Sequence, residues 1–206
     1  MTPDIQPPLT PSLVATANYI AQLQLPSGAL PWFAGGITDP WDHTEAIMGL
    51  SVAGRFAAAR KGLQWLADRQ RADGAWFAAY NDSEVVDATR AETNFVAYVA
   101  TGLWHYYQIT DDKQTLAKYW PMVEAAINFV LHQQQSTGEI NWAVDSQTGP
   151  SEDALITGCS SIFKSLACAI SMAEELGRVC DEWVDSKALL GNALLYKPER
   201  FDRTWE

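Results

Sequence analysis

"KGLQWLADRQRADGAW", residues 61–76, decides how this chain folds. Leu63, Leu66 and Ala67 recur at helical spacing, so the segment begins as an amphipathic helix. Gln70 closes the helix, Gly74 follows four residues later and Trp76 ends the stretch. "YIAQLQLPSGALPW" (19–32) and "FVLHQQQSTGEINW" (129–142) repeat the frame, with Gln24 and Gly28 in one and Gln134 and Gly138 in the other. In these two copies three residues separate Gly from Trp. Tyr19, Trp65 and Phe129 then hold equivalent positions, and repeats of this length indicate stacked helical hairpins. A Gln amide can satisfy orphan backbone groups at a helix end, a Gly allows a sharp turn, and a Trp ring can cover a seam.

Working outward, the spacing predicts seven helices: Ser12–Gln24, Thr44–Phe56, Ala58–Arg69, Ala91–Tyr107, a segment from Pro121 after "DDKQTLAKYW", Asp153–Leu176 and Asp181–Leu195. Pro121 suits a first helical position. Val85–Val86 is too brief for a strand, so the chain reads as all-α. Helices one, three, five and seven carry charged faces. Helices two, four and six are small and apolar ("FVAYVATGLWHYY", "ALITGCSSIFKSLACAISMA"). That alternation predicts an inner layer of buried helices inside a solvated outer layer.

The 206 residues are 48% hydrophobic and 19% charged, the composition of a folded chain. A formal net charge of −11 makes nucleic acid and anionic membranes poor partners. Three cysteines without CxxC spacing fit buried thiols in a reducing compartment, and the N-terminus shows no signal-peptide pattern, so a cytoplasmic location is expected. The weakly charged stretch 93–110 contains Thr, Asn, His, Gln and three Tyr and reads as a buried helix, not a membrane span. Residues 1–11 are expected to be extended or disordered, with one domain over 12–206.

Lys61, Gly62, Trp65, Leu66, Gln70, Gly74 and Trp76 resemble the QW repeat of squalene–hopene and related triterpene cyclases. "ALPWFAGGITDPWDHTEAIMGLSVAGR", "ETNFVAYVATGLWHYY" and "ALITGCSSIFKSLACA" are similar to bacterial proteins labelled prenyltransferase. Both resemblances imply an α/α toroid of the terpenoid cyclase and protein prenyltransferase kind, hence a transferase-like activity on an isoprenoid. A third resemblance implies carbohydrate chemistry instead: "YYQITDDKQTLAKYWPMVEAAINFVLHQQQSTGEINW" (106–142) is similar to the third hairpin of glucoamylase-like six-hairpin glycosidases. In those enzymes a general-acid Glu follows the Trp, whereas Ala143 and Val144 follow Trp142 here. The chain contains no DxDD and no DDxxD, and its 14 Lys and Arg form no cluster to hold a diphosphate. On the resemblance, the first expectation is a prenyltransferase- or terpenoid-cyclase-like protein. The alternatives are a six-hairpin carbohydrate-active or carbohydrate-binding protein and a non-catalytic scaffold.

Loops entering the inner helices of a toroid ring one mouth of its cavity. Here they are "DPWDHTE" (39–45), "NDSEVVDATRAETN" (81–94) and "DSQTGPSEDA" (145–154), all rich in acids. Asp42, His43 and Glu45 place three ionisable groups within four residues, and with Glu92 they form the candidate catalytic set. Trp32, Trp41, Trp76, Asp87, Arg90 and Trp142 are the candidate substrate contacts, since rings stack on sugars or attract a carbocation. Acids at helix starts also serve as plain caps favoured by the helix dipole. Cys159 begins an inner helix as the zinc Cys of protein prenyltransferases does. Without recognisable partner ligands no metal is expected, and no cofactor. Seven helices make about three and a half hairpins, short of the closed ring that the resemblance implies, and an open end would expose apolar surface. The chain is then a fragment or a homodimer covering its open edges.

Overall fold

The computed structural model describes residues 12–204, so the expectation for 1–11 lies outside the described residues. Seven α-helices carry the fold: α1 Leu13–Leu23, α2 Pro40–Val52, α3 Phe56–Arg69, α4 Thr93–Thr110, α5 Lys113–Leu131, α6 Ile156–Glu175 and α7 Asp181–Tyr196. Helices α2, α4 and α6 form the inner layer, with α4 packed between the other two. Outer helices α1, α3, α5 and α7 lie behind them. The architecture is an incomplete α/α toroid.

The Gln–Gly frame is the joint between hairpins. Gln70 Nε2 donates to its own turn at Gly74 O and to Met122 O on α5, both at 2.8 Å. Gln24 does the same to Gly28 O and Ala58 O, and Gln134 to Gly138 O and Ser186 O. Each outer helix is thereby tied to the next one along. The glycines allow the approach: Gly28, Gly74 and Gly138 have φ of +105°, +93° and +112°. A Cβ on each would lie 2.4, 2.3 and 2.5 Å from Lys61 O, Ala125 O and Leu189 O. Left-handed backbone and contact with a facing carbonyl together admit only glycine.

Tryptophan does not follow the frame. Six residues beyond the Gln stand Leu30, Trp76 and Ile140, all buried. Trp76 fills this place in the second copy and donates to Leu66 O at 2.9 Å. Trp32 and Trp142 lie two residues further on, and Trp32 is 52% exposed.

Several expected boundaries move. Helix α2 begins at Pro40 rather than Thr44, because Asp39 caps it and proline suits the first turn. Helix α5 runs unbroken through Pro121, with Trp120, Met122 and Val123 buried around the missing amide. Short strands exist that local sequence did not reveal: β1 Ala79–Asn81, β2 Glu84–Asp87, β3 Arg90–Glu92, β4 Ala143–Asp145 and β5 Gly149–Pro150. Val85 and Val86 sit in β2, paired with β1. Helix α6 is long and apolar enough to cross a membrane by composition, yet Cys159, Ile162, Leu166 and Ala169 are buried within the ring.

Candidate active site

The segments preceding α2, α4 and α6 meet at one end of the ring. Thr38, before α2, bridges to Tyr80, and β3, before α4, pairs antiparallel with β4. The starts of all three inner helices therefore open on a shared mouth.

At the head of α2, Asp39 is 3% exposed. Its Oδ1 accepts from the backbone N–H of Trp41 at 2.8 Å and of Asp42 at 2.9 Å, and its Oδ2 accepts from Trp32 Nε1. This carboxyl is an acceptor in every one of these contacts. One turn on, Asp42 is exposed, its backbone N–H bonded to Asp39 and its carboxyl in the field of the Asp39 carboxyl. Burial of that group, then the Asp39 charge and hydrogen bond, then the charge of Glu45, push Asp42 up to about 6. Near neutral pH such a group both holds and releases a proton, as a general acid must. Sequence reading chose Asp42 but left Asp39 among the undistinguished acids. The Asp–Pro step at 39–40 was the signal that would have singled it out as a cap.

His43 does not join them. It is fully buried, its Nδ1 accepting from Leu30 N at 3.1 Å and its Nε2 facing Gly62 O at 3.0 Å. Burial lowers it to about 4, so it is a neutral core group linking the first turn to α3. Cys159 holds the equivalent fourth position of α6: Ile140 N donates to its sulfur, and its thiol donates to Ile140 O at 3.3 Å. Burial pushes that thiol up to about 12, as for a packed thiol.

Glu45 lies on the same exposed side of α2 as Asp42 and accepts from Tyr98 Oη at 3.3 Å. Burial and the Glu45 charge push Tyr98 up to about 12. Trp41 stacks on the Tyr98 ring, centroids 3.8 Å apart and planes 10° from parallel. At the second hairpin, Arg90 pairs with Glu92 at 2.8 Å and with Asp87 at 3.1 Å, and its guanidinium lies over the Trp142 ring at 5.9 Å. Arg90 and Trp142 share a small cavity of about 230 Å³ with Asp145 and Ser151. The sequence-predicted residues thus divide into an acid group (Asp42, Glu45 with Trp41 and Trp32) and an Arg90 group (Asp87, Glu92, Trp142). Trp76 is core and reaches neither.

The third mouth loop uses its acid differently. Asp153 is buried and accepts from Ala154 N, Arg203 N, Thr204 N and Thr204 Oγ1. Burial would raise it, but these donors outweigh burial and hold it at about 2.

Residues 42–187 match the family described as the bacterial alpha-L-rhamnosidase six-hairpin glycosidase domain. The chain is 47% identical over 186 residues to the MMP endo-(1,4)-3-O-methyl-alpha-D-mannosidase of Mycolicibacterium hassiacum, an alignment covering 90% of this chain and 51% of that protein. Two solved structures share the fold. An unsaturated glucuronyl hydrolase specific for heparin superposes with a TM-score of 0.68 at 15% identity, over 90% of this chain and 55% of that one. The unsaturated glucuronyl hydrolase of Bacillus sp. GL1 gives 0.64 at 12%, over 93% and 57%. The chain spans about half the length of the curated relative it matches. These matches overturn the expectation of a prenyltransferase or terpenoid cyclase, and the isoprenoid substrate with it. The reason is physical: the Gln–Gly frame encodes a joint between hairpins, which any α/α toroid can use whatever it binds.

Proposed function

The chain belongs to the six-hairpin glycosidase family that its residues 42–187 match, and from that premise we propose that it serves hydrolysis of a neutral, α-linked mannoside, with Asp42 as the proton donor to the glycosidic oxygen. The observation that carries this reading is the Asp39–Asp42 carboxyl pair at the head of α2. Asp39 is held by two backbone amides and an indole, and with burial its charge raises the neighbouring carboxyl to about 6.

Asp39 is buried with its oxygens taken up by Trp32 Nε1, Trp41 N and Asp42 N, so it is not free to face Asp42 across a glycosidic bond, which needs about 5–9.5 Å between acid and nucleophile or base. Asp39 therefore acts through Asp42 as a positioning residue, and the opposing carboxylate stands elsewhere. Glu45 is the nearest further carboxylate on α2, one turn along the helix face. The Trp41–Tyr98 stack forms an aromatic wall beside it. The Arg90 charge is matched by Asp87 and Glu92, so this part of the mouth offers hydroxyl recognition and no spare cation for a uronate. The relative that acts on a 3-O-methyl-α-D-mannoside supports the choice of sugar.

The test uses α-1,4-linked 3-O-methylmannose oligosaccharides, unmethylated mannose oligosaccharides and oligouronates in a thermal-shift series, followed by reducing-end release. Stabilisation by a mannoside, with release lost in Asp42→Asn, is expected. Stabilisation by oligouronates alone, or by no sugar at all, overturns the proposal.

A further inference from the structure

The three Gln–Gly turns share one backbone and differ at one buried side chain. Leu25 N donates to Ala29 O, Arg71 N to Ala75 O and Gln135 N to Glu139 O, at 2.9, 2.9 and 2.8 Å. The residue after the turn glycine is thus Ala29, Ala75 or Glu139. Both alanines are 0% exposed, and Glu139 is 3% exposed. A place that the first two turns fill with a methyl group holds a carboxyl in the third.

One oxygen of that carboxyl is left unsatisfied. Glu139 Oε2 is buried and accepts from no donor among the described residues. A buried polar atom without a partner is costly, and alanine at the same place is not. Folding alone therefore gives no reason for Glu139. Asn141, two residues on, is buried as well, and its backbone is fixed: its N–H donates to Gln133 O at 3.2 Å, and its carbonyl accepts from Thr93 Oγ1 at 2.8 Å. Its side-chain amide, like Oε2 of Glu139, has no partner among the described residues.

Both residues line a cavity of about 740 Å³, together with Ser151, Glu152, Arg200 and Arg203. Small-molecule sites occupy about 300–1,000 Å³. Arg203 is committed to the Glu152 carbonyl and the Asp153 carboxylate. Arg200 forms no ion pair among the described residues. The charged walls balance, Glu139 and Glu152 against Arg200 and Arg203, and no aromatic ring lines the space among the described residues. A phosphate or an amine would upset that balance. Fixed donors and acceptors without net charge suit the hydroxyls of a neutral sugar, gripped by its edge and not stacked on a ring.

We propose that Glu139, Asn141 and Arg200 form a second carbohydrate-binding site, on the third turn and apart from Asp42, which holds a distal unit of an oligosaccharide through its hydroxyls. Ser151 lines both this cavity and the smaller one that holds Arg90 and Trp142. A sugar chain seated at Glu139 therefore runs on towards the Trp142 ring. The site goes beyond the hydrolysis assigned to Asp42, though the choice of a sugar rests on that reading.

The test is amide NMR of the 206-residue chain titrated with an α-1,4-linked mannose tetrasaccharide. The sugar is expected to move the amides of residues 135–141, in the parent and equally in Asp42→Asn. Glu139→Ala restores the residue of the other two turns, so its melting temperature is expected at or above that of the parent. Glu139→Ala and Asn141→Ala are each expected to raise the half-saturating sugar concentration for those amides at least tenfold. The proposal is overturned by a sugar that leaves 135–141 unmoved, by shifts there that both variants retain at parental concentrations, or by a Glu139→Ala chain that melts well below the parent. Sugar bound at 135–141 without reducing-end release would strike the hydrolysis and leave this site standing. Release with shifts confined to 39–45 would do the opposite.

Discussion

The first and third loops of the ring's mouth are built on one plan and put an acid to opposite uses. Each leads into an inner helix whose fourth residue, His43 or Cys159, bonds the backbone of the preceding turn at Leu30 or Ile140. At the third loop, Asp153 is buried under three backbone amides and a hydroxyl and held at about 2. At the first, Asp39 takes up the neighbouring amides and leaves Asp42 facing another carboxyl, raised to about 6. An acid supplied with donors becomes a staple. An acid deprived of them and set against another acid becomes a proton carrier. Residue type at a helix head is thus a poor guide to role, and the count of donors around it is a good one.

The strongest way to break this contrast is a pair of isosteric amides. Asp42→Asn is expected to lower mannoside hydrolysis by about 10²–10⁴-fold, the range for a lost general acid, with little change in stability. Asp153→Asn is expected to do the reverse, costing about 2–3 kcal/mol as charge-assisted hydrogen bonds weaken at a buried site. Reducing-end release and urea denaturation measure the two effects. Equal loss of activity in both variants would erase the distinction between staple and carrier.

How far this division was legible depends on the range of the contacts. The Gln–Gly frame could be read because its first half is local: Gln70 to Gly74 spans four residues, and the required left-handed glycine leaves its mark in the sequence. The seven helices and the inner–outer alternation followed from periodicity. Trp76 was misread as a counterpart of Trp32 and Trp142 because the distance from Gly to Trp differs between copies, which puts only Trp76 in the core. His43 looked catalytic because its satisfying partners, Leu30 N and Gly62 O, lie thirteen and nineteen residues away. Strands β3 and β4 pair across some fifty residues, beyond any local pattern. Asp39 was the readable omission, since Asp before Pro at a helix start is a capping signature.

The joints offer the next comparison, between the third turn and the fourth. Gln134→Ala removes the donor to Gly138 O and Ser186 O and is expected to cost about 2 kcal/mol in urea denaturation, two hydrogen bonds at about 1 kcal/mol each. Pro198→Ala, at the equivalent place in the α7 turn, removes no such amide and is expected to cost less than about 1 kcal/mol. A larger loss at Pro198 than at Gln134 would mean that the fourth turn is held by a joint of its own.

The smallest effect is the most specific, because its sign differs between the two mouth loops. Asp42, raised from 3.8 to about 6, binds more protons in the folded chain than in the unfolded one across that interval. Its contribution to stability is fully present below pH 3.8 and is lost as pH rises through about 6. Asp153, lowered from 3.8 to about 2, contributes stability above pH 3.8 that is lost as pH falls through about 2. Relative to the parent, Asp42→Asn is expected to become less destabilised, or slightly more stable, between pH 4 and 7, by about 1 kcal/mol or less because the group is largely solvent-screened. Asp153→Asn is expected to grow closer to the parent as pH falls from 4 towards 2. Asp39→Asn links the two curves: it keeps a cap acceptor and removes the opposing charge, so the Asp42 titration should move down towards 3.8 and the hydrolysis profile should lose its upper limb at lower pH. An unmoved profile in Asp39→Asn would detach Asp42 from its neighbour and leave burial and the Glu45 charge as the causes of its raised value.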